Sequence, residues 1–140
     1  MSGDLPPAWR LRALAACAAL PPLLSVVSLE RIARAAAATP RRASPTAPED
    51  TLLAAYVGQL LYRLPPPWRY TCLKRGVVLY WLLRRAGRPV ALHIGVRKDE
   101  AGALAAHAWL VKDGAPYLEP DPAHSARFTE IARFPSPAAG

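Results

Sequence analysis

The stretch from Cys72 to Gly114, CLKRGVVLYWLLRRAGRPVALHIGVRKDEAGALAAHAWLVKDG, decides how this chain folds. Its first part steps by three and four: Leu73, Val77, Tyr80, Trp81 and Arg84 share one side of a helix. Arg84 and Arg85 suit the negative C-terminal end of that helix, and Gly87 suits its stop. Beyond Pro89 the period changes to two. Residues 89–96, PVALHIGV, read as a strand; 97–103, RKDEAGA, as a polar turn; 104–112, LAAHAWLVK, as a second strand. Asp113-Gly114 is a hairpin signal. Residues 116–119 (PYLE) then make a short third strand, and 128–135 (FTEIARFP) a fourth. Helices followed by an antiparallel meander make an α+β fold.

Upstream, Glu49-Asp50-Thr51 supplies acidic and capping residues for a helix to about Leu64. Leu53, Tyr56, Val57, Leu60, Leu61 and Leu64 form its apolar face, and Pro65-Pro66-Pro67 ends it. Residues 38–48, ATPRRASPTAP, read as a linker or exposed loop, and 1–37 as an apolar arm. Within the arm the expectation is two helices, Ala8–Leu20 and Leu23–Ala37, meeting at Pro21-Pro22, with Leu11, Leu14, Ala15 and Ala18 on one face. The segment invites reading as a signal peptide, but the proline pair that divides the apolar run and Glu30-Arg31 before the alanines argue against it. The run is also shorter than the ~20 apolar residues of a spanning helix. The chain is therefore expected in the cytoplasm, with the arm packed onto a core formed by 49–140 as one structural domain. Contact of residues 8–37 with a membrane surface is the less favoured reading.

At 140 residues the chain has the length of one domain, and 52% hydrophobic residues exclude wholesale disorder. Eighteen Lys and Arg against ten Asp and Glu leave +8. The arginines are dispersed rather than interleaved with aromatics, which argues against nucleic acid. Two cysteines allow one bridge but exclude a disulfide-dense scaffold and a four-cysteine zinc site.

Cys72 opens its helix with Lys74 and Arg75 beside it. Helix N-termini and nearby cations stabilise thiolates, so Cys72 is the candidate nucleophile. The opposing reading is a small buried hydrophobe, a fate that suits Cys17 among its alanines and leucines. A base is also needed. His107 lies on the second strand with Trp109 and Val111, opposite in facing to Ala106, Ala108 and Leu110. His93, on the preceding strand, could face it, and His124 lies in a loop. Asp113, Glu119 and Asp121 are the choices for the group that orients the imidazole. Cys72, His93, His107 and a carboxylate also make a conceivable zinc set, but their spacing matches no metal motif.

Cys72-Leu73 at a helix start, then Leu82-Leu83-Arg84-Arg85-Ala86-Gly87, Leu92-His93-Ile94-Gly95-Val96, Ala106-His107-Ala108-Trp109-Leu110 and Asp113-Gly114, together resemble one family. It is the transglutaminase-like cysteine protease of lasso-peptide biosynthesis, the leader peptidase that forms the C-terminal half of the B protein. The resemblance covers roughly 68–135. It implies a papain/transglutaminase-like fold with the nucleophile at a helix N-terminus and the base and its orienter on neighbouring strands. By position it makes Cys72 the nucleophile, His107 the base and Glu119 the third member. A glutamate stands where the family usually has aspartate, which keeps Asp121 as the alternative.

The resemblance further implies removal of the leader from a ribosomal precursor through a thioester, without metal or organic cofactor. The partners would be a separate small leader-recognition protein and a downstream ATP-dependent lasso cyclase. Two rivals remain: a non-catalytic peptide-binding or scaffold protein of the same fold, and an acyl-transfer enzyme sharing the thioester.

Overall fold

The computed structural model describes residues 5–38, 48–66, 68–69, 71–119, 123 and 126–134. Four helices precede a four-stranded sheet: α1 (Pro7–Val26), α2 (Leu29–Ala37), α3 (Asp50–Arg63), α4 (Cys72–Arg85), β1 (Ala91–Lys98), β2 (Leu104–Lys112), β3 (Ala115–Tyr117) and β4 (Thr129–Phe134). The strands are antiparallel in the order β3-β2-β1-β4. This is the α+β architecture expected, but the sheet is not a simple meander: β4 pairs with β1 at the far edge rather than with β3. Pro116 sits on β3, an edge strand, where its missing N–H breaks no ladder. Asp113 and Gly114 both take positive φ, 54° and 80°, which gives the β2–β3 turn the twist its strands need.

Helix α4 is the centre of the molecule. Val77, Val78, Leu79, Tyr80, Leu82 and Leu83 are all buried, so it is apolar on more than the single face its spacing suggested. The cause is its position between the other three helices and the sheet. Gly76 makes the sheet contact close: a Cβ there would lie 3.3 Å from Leu92 Cδ1 and 3.4 Å from Ala108 Cβ. Thr71 caps α4 by accepting from Lys74 N at 3.2 Å.

The arm departs from expectation in two ways. Helix α1 runs through Pro21 and Pro22 and breaks only at Val27-Ser28, where Ser28 caps α2 by accepting from Arg31 N. An interior proline removes an i→i−4 donor and disfavours a helix by about 3 kcal/mol. The carbonyl that Pro22 leaves unpaired, that of Ala18, accepts instead from Trp68 Nε1 at 3.0 Å. A tertiary bond thus replaces a missing helical one. The buried side of α1 is also not the predicted one. Trp9, Ala13, Cys17 and Leu20 face the core, while Leu11 and Leu14 are 69% and 45% exposed. A helix apolar nearly all round has no periodicity to choose its face; the small residues Ala13 and Cys17 permit the close approach.

Several arginines act as internal ties. Arg84 donates to the Ala37 carbonyl at 2.5 Å, and Arg88 donates to Asp50 Oδ1 at 2.8 Å. The Tyr117 hydroxyl donates to the other Asp50 oxygen, so Asp50 fastens β3 to α3. Burial, then the bond to Asp50, pushes the Tyr117 phenol up to about 12. Glu49 stands at the N-cap of α3 without a side-chain cap, a correction to the expected capping cluster: the favoured caps are the shorter Ser, Thr, Asp and Asn, and Asp50 is spent on Arg88 and Tyr117.

Trp68→Phe keeps the ring and removes the donor to Ala18. We expect a loss of about 1 kcal/mol in urea unfolding, the size of one hydrogen bond. Restoring N–H groups in the same background with Pro22→Ala should recover most of it.

Candidate active site

Two strands and the turn beyond a third build the site around His107. In the β1–β2 ladder Gly95 lies opposite His107, and His93 lies opposite Trp109. His93 therefore does not face His107. Its Nδ1 pairs with Glu130 at 3.0 Å, and its ring meets Trp109 edge-on at 5.9 Å. A bulge between Ile94 and Gly95 brings Glu130 to that side of the ladder.

His107 is held between aromatic rings. Trp109, two residues along the same strand face, stacks on it at 5.5 Å and 17°, and Phe128 approaches at 5.1 Å. Only glycine at 95 leaves space for this. A Cβ there would come within 2.9 Å of Phe128 Cβ, of the Thr129 carbonyl oxygen and of Trp109 Cη2. The imidazole is 92% out of solvent as a result, its side chain 8% exposed. Among the other described residues, Glu119 comes to meet it. His107 Nε2 lies 3.3 Å from Glu119 Oε2, and the Glu119 side chain is 4% exposed. A carboxylate only accepts, so Nε2 carries the proton in this pair.

Glu119 lies just past β3. Leu118 before it takes φ 59°, a left-handed backbone that a leucine rarely adopts. Arg75 from α4 reaches this segment: Nη2 donates to the Leu118 carbonyl, and Nη1 lies 3.7 Å from Glu119 Oε1. Cys72 stands at the first position of α4, half-buried and free, one helical turn ahead of Arg75. It is also one turn ahead of Gly76, the residue laid on Ala108 beside His107. Arg75 thus ties the first turn of α4, which Cys72 opens, to the segment that carries Glu119. Cys17 has the other fate. It is 1% exposed, and burial pushes its thiol up to about 11.

The alternative third residue, Asp121, and His124 lie outside the described residues. Among the described residues no three His, Cys, Asp or Glu side chains converge on a common point, so the zinc set is not assembled there. A cavity of about 490 Å³ lies between α1, α2 and α4, lined by Leu20, Leu23, Ile32, Val78 and Trp81 among others. It contains none of Cys72, His107 and Glu119. Sequence reading passed over Gly95 and Phe128, and took Arg75 only as a cation beside Cys72, not as a partner of the Glu119 segment. Of these, Arg75 left a signal, a cation three residues after Cys72 inside a helix otherwise apolar for its next eight positions.

The family model of the transglutaminase-like superfamily matches residues 14–133. The chain therefore belongs to the transglutaminase-like superfamily, whose members typically have the chemistry of cysteine proteases and transglutaminases. The match begins inside α1, so it takes in most of the helical layer as well as the sheet. No curated protein and no solved structure gives a significant match. Among the described residues no helix is long and apolar enough to cross a membrane.

Two outcomes test this geometry. Gly95→Ala should force Trp109 and Phe128 off His107 and cost about 1–3 kcal/mol in urea unfolding, the usual range for overpacking. His93 is held below its ordinary value of 6.5 by burial, opposed by Glu130 and reinforced by Arg133. The unfolded chain then binds that proton more readily than the folded one. The stability His93 contributes is present above pH about 6.5 and lost as pH falls toward its folded value. A denaturation series across that range should show a shallower acid decline in His93→Gln than in the parent.

Proposed function

We infer that this protein is a cysteine peptidase of the cytoplasm that removes the leader from a lasso-peptide precursor, working with a separate leader-recognition protein. The observation that carries the catalytic part is the buried His107–Glu119 pair at 3.3 Å, tied through Arg75 to the first turn of α4, which Cys72 opens. A histidine oriented by an acid and a cysteine at a helix N-terminus are the parts that thiol acyl chemistry needs. Membership of the transglutaminase-like superfamily supports the same chemistry. The leader-peptide substrate, the recognition partner and the ATP-dependent cyclase that would take the product rest on the sequence resemblance over 68–135.

In this reading His107 Nδ1 takes the proton of the Cys72 thiol, and the thiolate sulfur attacks the carbonyl carbon at the leader–core junction. The oxyanion is met by the backbone N–H groups at the very start of α4, Cys72's own among them, ahead of the Lys74 N–H that Thr71 takes. His107 returns the proton to the departing amine, which frees the core. Water, deprotonated by the same imidazole, then adds to the thioester, and collapse expels the Cys72 thiolate and releases the leader as a carboxylate. Glu119 keeps the proton on Nε2 and stabilises the imidazolium between the two steps.

Mass spectrometry of a precursor incubated with this protein and its recognition partner tests the reading. Cleavage at one junction is expected, abolished in Cys72→Ala and reduced about 10²–10⁴-fold in His107→Ala, the range for loss of a general base. Persistence of cleavage in Cys72→Ala would sink the assignment of the nucleophile. A ligated rather than hydrolysed product would indicate acyl transfer. An intact precursor, bound by a folded protein, would favour the scaffold alternative.

A further inference from the structure

Arg75 is a buried cation in the first turn of α4, with eight apolar positions following it. Its side chain is 10% exposed. A guanidinium taken out of water needs partners of good geometry, and removing them leaves an uncompensated charge. Arg75 finds both of its partners on one short segment: the Leu118 carbonyl, which accepts from Nη2, and Glu119 Oε1, 3.7 Å from Nη1. That segment also packs Leu118 against the core and sets Glu119 on His107. It follows a three-residue edge strand, and Leu118 adopts a left-handed backbone at φ 59°. Such conformations persist where surrounding contacts over-determine them.

The two oxygens of Glu119 are divided. Oε1 faces Arg75 from α4, and Oε2 faces His107 from β2. A carboxylate so divided has one orientation in which both partners are met. Arg75 also lies three residues after Cys72, so the helix that presents the thiol is the helix that fastens the acid.

We propose that Arg75 is a positioning residue for the cleavage reaction, holding Leu118 and Glu119 so that the carboxylate stays on His107 Nε2. The proposal rests on the peptidase reading above. It assigns Arg75 no contact with substrate: it acts through Glu119.

The test is a double-variant cycle with Arg75→Gln, Arg75→Lys and Glu119→Gln, on the full chain. Two readouts are used: kcat and KM for precursor cleavage with the recognition partner, and the rate of Cys72 alkylation by iodoacetamide at neutral pH, located by peptide mass. Arg75→Gln should lower kcat about 10²-fold, as misplacement of a catalytic group does, with KM little changed. Arg75→Lys, whose single ammonium reaches one partner but not both, should show an intermediate loss. In the Glu119→Gln background either Arg75 change should cost almost nothing more. A loss confined to KM, an unchanged kcat, or losses that multiply in the double variant would each overturn the proposal. If Arg75→Gln does not fold, the cycle with Arg75→Lys decides by the same criteria. Alkylation separates the two readings. An uncleaved precursor together with Cys72 alkylation slowed alike by Arg75→Gln, Glu119→Gln and His107→Ala would end the peptidase reading and keep the positioning role. Alkylation indifferent to all three would end both.

Discussion

The contact of Gly76 with Ala108 sets the geometry of everything else. A helix without a side chain at that position lies directly on the strand that carries His107, with a would-be Cβ only 3.4 Å from Ala108 Cβ. Helix α4 cannot slide along β2 or lift from it without opening a void in a core that includes Leu79, Leu83, Leu92 and Leu110. The start of α4 is therefore fixed relative to β2. Cys72 is one turn ahead of Gly76 on the same side of the helix, so its place follows from the packing rather than from any bond of its own.

Around that contact the fold uses its positive charge inward as well as outward. Arg75, Arg84 and Arg88 each join separate elements: α4 to the segment past β3, α4 to the end of α2, and the loop after α4 to α3. Their partners are backbone carbonyls and buried or half-buried carboxylates rather than solvent. Part of the +8 balance is thus structural wiring around the central helix. Asp50 shows the same economy, since one carboxylate holds Arg88 and Tyr117 and thereby steadies the edge strand that precedes Glu119.

The strands, the Asp113-Gly114 turn and the run of α4 from Cys72 were legible because each has a local cause: alternation, a turn dipeptide, a three-and-four spacing. The pairing of His107 with Glu119 was legible as one of several possibilities, because a hairpin brings its two arms within reach. What was not legible depends on partners far along the chain. Pro21 and Pro22 read as a break, and nothing near them reveals that Trp68, fifty residues beyond Ala18, supplies the missing donor. The exposed Leu11 and Leu14 read as core, because an all-round apolar helix offers no period to orient it. His93 read as a neighbour of His107, but the register sets it against Trp109, and register is fixed by the whole ladder. Gly95 looked like one letter of a strand; its value lies in the 2.9 Å approaches of Trp109 and Phe128, which only the assembled sheet creates.

The glutamate at 119 makes physical sense in this setting. The carboxylate is delivered from beyond a three-residue edge strand, past a left-handed leucine, and must satisfy an arginine on the helix and a histidine on the sheet at once. An aspartate at the same backbone position would be one methylene shorter, and both of its oxygens would draw back from their partners together. The longer side chain spans the gap but has one more rotatable bond, so without restraint it would visit orientations that leave Nε2 unheld. A restraint on the far oxygen removes that freedom. The length of Glu119, the conformation of Leu118 and the burial of Arg75 are in this sense one device: reach is supplied by the side chain, and precision by the cation that confines it.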